Sequence, residues 1–164
     1  GQEDGRQGLI VTRLKAHPQV QTHMADPKRF SGIRCLVVTP ETTVLDASAK
    51  SVVVPLEDGE RGVCKGHAPF IGRLGAGEVR IIPAEGPESL HRTFVEGGFV
   101  EVSHDSVTVI TQRAVPGTKL DLTRARADLA DISAKPAAGD EAIDAKLRAQ
   151  EAARAIIRIA ERVR

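Results

Sequence analysis

The stretch FVEVSHDSVTVITQRAVPGTKLDLTRARADLADI, residues 99–132, changes its apolar period part-way along, and that change divides the chain. In Phe99-Val100-Glu101-Val102 and Val107-Thr108-Val109, apolar and polar side chains alternate, as in strands with one face on a core. After Pro116-Gly117 the apolar positions Leu122, Ala125, Leu129 and Ile132 recur at i, i+3, i+7 and i+10. This is the stripe of an amphipathic helix, with Asp121 placed to cap it.

Upstream of the switch, short β-rich runs are punctuated by turn residues, the pattern of a sandwich or barrel. Strands are predicted at 33–39, 43–49, 50–55, 77–82, 91–96, 99–103 and 107–111. The separators are Pro40-Glu41, Glu57-Asp58-Gly59-Glu60, residues 83–87, Gly97-Gly98 and His104-Asp105. Gly97-Gly98 between Phe94-Val95 and Phe99-Val100 reads as a two-residue hairpin. Downstream, Pro136 and Gly139 stop the first helix. A second is predicted from Glu141 to Val163, with Ile143, Leu147, Ala153, Ile156, Ile157, Ala160 and Val163 on its apolar side. The fold class is mainly β plus α: a β domain over 32–115, then an antiparallel two-helix hairpin over 120–164. Alanines dominate the hairpin seam, bury little area each, and leave it dependent on a partner surface or able to adopt more than one arrangement.

Residues 1–31 carry one apolar patch, Leu9-Ile10-Val11, and are otherwise polar and proline-interrupted, which predicts a flexible tail. Met24, the only methionine, stands just before structured pattern begins and is a candidate natural start. Of 164 residues, 41% are hydrophobic and 27% charged, a globular balance. Lys+Arg 23 against Asp+Glu 22 leaves no global field for nucleic acid. With no Trp or Tyr and four Phe, stacking platforms are missing as well. No apolar run of about 18 residues occurs, so membrane attachment is expected only through a complex. Two cysteines and a polar opening point to a reducing cytoplasm.

For catalysis the nearest candidate is Cys64-Lys65-Gly66-His67, where a third orienting group is unspecified; the competing reading is a buried cysteine and a loop histidine. The histidines and cysteines lack metal-ligand spacing, so neither a metal nor a catalytic residue is predicted. Glycines at 59, 62 and 66 do not follow the order of a phosphate loop. Arg154 and Arg158, at i and i+4, share a helix face and suit a phosphate, against the alternative of a solvated charged face.

Several segments occur in the order and spacing of one family. They are Leu36-Val37-Val38-Thr39-Pro40-Glu41, Val52-Val53-Val54-Pro55, Glu57-Asp58-Gly59-Glu60-Arg61-Gly62-Val63 and Gly66-His67-Ala68-Pro69-Phe70. Further on come Gly77-Glu78-Val79-Arg80-Ile81, Phe94 to Val102 through Gly97-Gly98, and Leu120-Asp121-Leu122-Thr123-Arg124-Ala125. Over residues 32–163 the chain resembles the epsilon subunit of F-type ATP synthases, called delta in mitochondria. The resemblance implies an N-terminal β-sandwich of about ten strands. It implies a non-catalytic rotor subunit of a proton- or sodium-driven synthase, peripheral on the cytoplasmic face of a bacterial plasma membrane. The implied partners are the gamma subunit, the ring of c subunits and, through the helices, the alpha/beta catalytic head, whose ATP hydrolysis the helices inhibit. The ring-contacting loop falls on Glu60, with His67 as a second candidate. No cofactor is required, but a regulatory ATP is implied at Asp121, Arg124, Ala125, Arg154 and Arg158. Val115 stands where the family has a carboxylate, and Asp131 near a family arginine. A free-standing β-sandwich adaptor and a Cys64/His67 hydrolase are the alternatives.

Overall fold

The structure, a computed structural model, describes residues 32–86 and 90–163; the expected tail 1–31, Met24 and Pro87 lie outside them. The described strands are β1 (Ile33–Val38), β2 (Thr43–Leu56), β3 (Gly59–Cys64), β4 (Phe70–Arg73), β5 (Gly77–Pro83), β6 (His91–Glu96), β7 (Phe99–Ser103), β8 (Ser106–Ile110) and β9 (Arg113–Pro116). Two helices follow, α1 (Leu122–Ala134) and α2 (Asp140–Val163), entered through a single 3-10 turn at Gly117–Lys119. Hydrogen bonds link the strands in the order β4-β7-β8-β1-β2-β5-β6-β9, with β3 also on β2. Among the described residues only β1 and β8 pair in parallel. This strip closes over one core, in which Val100, Val102, Val107 and Val109 from one end meet Val79, Ile81 and Val95 from the other. The sandwich is built of nine strands among the described residues, close to the number the family resemblance implies.

Residues 43–49 and 50–55 form one strand of 14 residues rather than two. β2 pairs with β1 along its first half and with β3 along its second, and its register on β5 shifts between Ala49 and Ser51. A bulge of this kind bends a strand, which lets β2 belong to both layers. Glu57-Asp58 alone makes the following turn, since Gly59 and Glu60 already pair as strand. The four-residue strands β4 and β9 were too short for alternation to reveal.

Gly97-Gly98 does not close a hairpin. β6 pairs with β5 and β9, whereas β7 pairs with β4 and β8, so the glycines carry the chain from one layer to the other. Both have positive φ, 67° and 102°, and a Cβ on Gly98 would stand 2.0 Å from the Ile110 carbonyl oxygen. The signal was right about the backbone and wrong about the partner, because close approach demands glycine as strongly as a turn does. Two-residue hairpins lie instead at Glu57-Asp58, joining β2 to β3, and at His104-Asp105, with φ 44° and 59°, joining β7 to β8.

Asp121 caps α1 by accepting a hydrogen bond from the Arg124 amide at 3.1 Å. α1 packs on α2. Polar staples close their far end, where Lys146 Nζ donates to the carbonyls of Ser133 (3.0 Å) and Lys135 (2.6 Å). α2 in turn lies on the sandwich. Ala152, Ala155 and Ile159 pack with Phe94 as a second core, flanked by Ala76, Leu120, Ile156 and Val163. Ile143 and Leu147, expected on the apolar side, are exposed, because the first half of α2 runs past the second core. Ile159, overlooked by that stripe, is buried.

Removing the Ile159 side chain leaves a cavity against Phe94. Ile159→Ala is expected to lower the stability of the docked helices by about 2–4 kcal/mol. The helical signal in a denaturant titration should fall before the sheet signal; simultaneous loss would show one indivisible core.

Candidate functional site

α2 covers the outer face of β5 and β6. On β5, Val79 and Ile81 point into the sandwich, while Glu78 and Arg80 alternate outward beneath the helix. Arg80 stands opposite Arg92 across the β5–β6 ladder, a like-charge pair that needs compensation. Two carboxylates provide it. The buried Glu78 accepts from Arg92 at 2.5 Å, from Arg162 of α2 at 3.2 Å and weakly from Arg80 at 3.5 Å. Arg80 places its planar fork on both oxygens of Glu60, at 2.8 and 2.7 Å. These groups and Arg158 line a cavity of about 580 Å3 between α2 and the sandwich. The Arg80 hydrogen bonds hold the Glu60 carboxyl below its ordinary value, with smaller contributions from the charges of Arg162 and Arg158.

The structure brings two of the expected site residues, Glu60 and Arg158, to this cavity. Glu60 sits near the start of β3 and His67 beyond its end, about 13 Å of strand away, so they do not form one contact point. The His67 ring lies against Phe70 at 5.4 Å, and its Nδ1 meets the Ala68 carbonyl at 2.8 Å. Asp121 is engaged in capping and Ala125 is buried. Arg124 and Arg154 are exposed on different helices, and neither lines the cavity. Sequence reading singled out none of Glu78, Arg80 or Arg92 as site residues. Their alternation with apolar neighbours is the available signal, and it looks the same for a solvent face as for one covered by a helix.

A second surface lies on the opposite layer. Phe99 on β7 and Ile110 on β8 are cross-strand partners, each about half exposed, and Ile71 on the adjacent β4 is 75% exposed. Their neighbours Val100, Val102 and Val109 point into the core, so this is an outer face. Arg73 continues the row of Phe99 and Ile110 onto β4, while Ile71 stands opposite Glu101 and diagonal to Phe99, so the three apolar side chains form a patch bordered by charge. Cys64, expected to be buried, is exposed, and it meets His67 through the backbone, the His67 amide donating to the Cys64 carbonyl at 3.1 Å in a turn. Among the described residues no side-chain hydrogen bond joins the two, no group of three His, Cys, Asp or Glu side chains gathers as for a metal, and no helix is long and apolar enough to cross a membrane. The other cysteine, Cys35, is buried in the core, and burial pushes its thiol up to about 12.

The lowered Glu60 and the Asp46 carboxyl, lowered by its hydrogen bonds to Arg34, set an acid limit. Both pairs contribute fully above the ordinary carboxyl values of 4.5 and 3.8, and their contribution is lost as pH falls through the lower folded-state values. A Glu60→Gln/Asp46→Asn variant should therefore show a shallower fall of Tm with pH below 4.5. An unchanged slope would show that other carboxyls govern acid unfolding.

Comparison with known proteins fits this architecture. Residues 32–117 match the beta-sandwich domain of the ATP synthase delta/epsilon chain. The ATP synthase epsilon chain of Rhodopirellula baltica is 46% identical over 126 residues, covering 77% of this chain and 96% of the relative. The sodium-ion-specific ATP synthase epsilon chain of Propionigenium modestum is 34% identical over 127 residues, covering 76% and 90%. A chain of the mitochondrial ATP synthase of Euglena gracilis superposes with a TM-score of 0.65 at 22% identity, over 98% of this chain and 99% of that one, a likeness of fold. With a strand-rich body, a terminal helix pair and close relatives matched over nearly their whole length, the chain belongs to the ATP synthase epsilon family.

Proposed function

We propose that this chain is a non-catalytic central-stalk subunit of a proton- or sodium-driven ATP synthase, in which the sandwich joins the gamma subunit to the c-ring and the helices restrain ATP hydrolysis. The observation that carries this reading is the exposed apolar patch of Ile71, Phe99 and Ile110 on the outer face of the sheet. An exposed apolar patch on a rigid sheet suits a lasting protein contact, because burying it adds hydrophobic stabilisation with little loss of freedom. Its occupant in this reading is gamma. Rotation requires a body that does not shear, and the close-packed valine core meets that need.

Glu60 faces the ring in this reading, with His67 secondary. At an exposed rim such a contact is worth at most about 1 kcal/mol and sets register more than affinity. The hairpin meets the opposite requirement. It is held by one small apolar core and a few ion pairs, so a rival surface on the alpha/beta head can compete for it. The complex would lie on the cytoplasmic face of a bacterial plasma membrane. A regulatory ATP would engage Arg124, Arg154 and Arg158, whose guanidinium groups have no hydrogen-bond or ion-pair partner among the described residues. Triphosphate binding there would favour one packing of the helices.

Phe99→Asp together with Ile71→Asp should weaken co-purification with gamma by roughly tenfold or more. Undiminished recovery would place gamma elsewhere. Deleting residues 120–164 in the assembled complex should leave ATP synthesis intact and speed hydrolysis; unchanged hydrolysis would argue against a restraining role. In calorimetry, ATP should give heat with the full chain and not with Arg124→Ala, and absence of heat in both would remove ATP from the scheme.

A further inference from the structure

We propose that Arg80 is a shared clasp through which the seating of α2 and the engagement of Glu60 oppose one another: capturing Glu60 from outside loosens α2, and lifting α2 frees Glu60. The proposal rests on how three guanidinium groups divide between two carboxylates. Glu78 is 6% exposed beneath α2, so while the helix is seated its charge must stay compensated, and it continues to attract the guanidinium groups beside it when the helix lifts. With α2 seated, Arg92 and Arg162 supply that compensation at 2.5 and 3.2 Å. Arg80 is then left at 3.5 Å from Glu78 and commits its fork to Glu60.

Lifting α2 withdraws Arg162, and with it the neighbouring Arg158. Glu78 then keeps Arg92 and can regain a second cation only from Arg80, two residues along the same face of β5. Arg80 shifts toward Glu78 and its two-point grip on Glu60 opens. The reverse follows by linkage. A cationic group that takes Glu60 releases Arg80 to Glu78, where it competes with Arg162 and lowers the affinity of the sandwich for α2. Glu60 is thus more than a rim charge, because its pairing reports on a helix that contributes no hydrogen bond to it. Reading the outside cation as a c-ring group rests on the function proposed above; the coupling itself belongs to the isolated chain.

Hydrogen exchange of the α2 amides over residues 152–162 in the full-length chain tests it, with β2 and β5 amides reporting that the sandwich stays folded. Arg162→Gln should speed α2 exchange. Glu60→Gln should speed it by roughly fivefold. In an Arg80→Gln background, Glu60→Gln should change nothing further, since the clasp is gone. Arg80→Lys, which cannot make the two-point grip, serves the same purpose if Arg80→Gln does not fold. The proposal is overturned if Glu60→Gln leaves α2 exchange unchanged, if it acts equally with and without Arg80, or if Arg162→Gln has no effect. None of these readings involves ATPase activity, so a failed coupling leaves the stalk function standing and a failed stalk function leaves the coupling standing.

Discussion

A buried carboxylate that must never lose its cations governs how the two parts of this molecule meet. Glu78 lies on the outer face of β5, where a solvent-facing residue would ordinarily be, and α2 shuts it off from water. Stranding such a charge costs several kcal/mol, and the sandwich itself sets Arg92 and Arg80 beside it, at 2.5 and 3.5 Å. Arg162 is the additional donor that the helix brings. Next to this polar clasp, Phe94 offers its ring to Ile159 and the small alanines of α2. The apolar contact gives the seat its strength, and the ion pairs give it register.

The two halves have contrasting mechanics. In the sandwich, β-branched side chains interdigitate across layers that are continuous through β2, so load applied at one face reaches the other without slippage. The hairpin has no comparable interior. α1 buries only Leu122 and Ala125, and its far end is closed by Lys146 capping carbonyls rather than by packing. Such an element gains most of its order from the surface it rests on, which suits a part that changes partners.

The two faces of the sheet strip also differ in chemistry. The layer of β4, β7 and β8 presents Ile71, Phe99 and Ile110 outward and at least half exposed, whereas the layer of β5 and β6 presents charge and is covered by α2. A body with an apolar outer face on one side and a detachable, charge-registered cover on the other can stay fixed to one partner while exchanging another. Family membership places that arrangement within an ATP synthase epsilon chain.

The order of strand-rich body before helix pair, the boundary at Pro116-Gly117 and the Asp121 cap were all legible in the sequence, because period, proline and capping chemistry act over a few neighbouring residues. Gly97-Gly98 announced an unusual backbone, but its destination depended on the Ile110 carbonyl, which no local pattern names. Ile143 and Leu147 followed the helical stripe yet stayed exposed, since periodicity tells which residues share a face and not where the covering surface ends. Arg158 stood out as a helix cation, and Glu60 only through the family resemblance, as a ring-contacting loop residue. That they border one cavity, with Arg80 gripping Glu60 and Glu78 lying beneath Arg162, came from tertiary structure alone. Alternation fixes which side of the sheet a residue takes, but only long-range packing decides whether that side meets water or a helix.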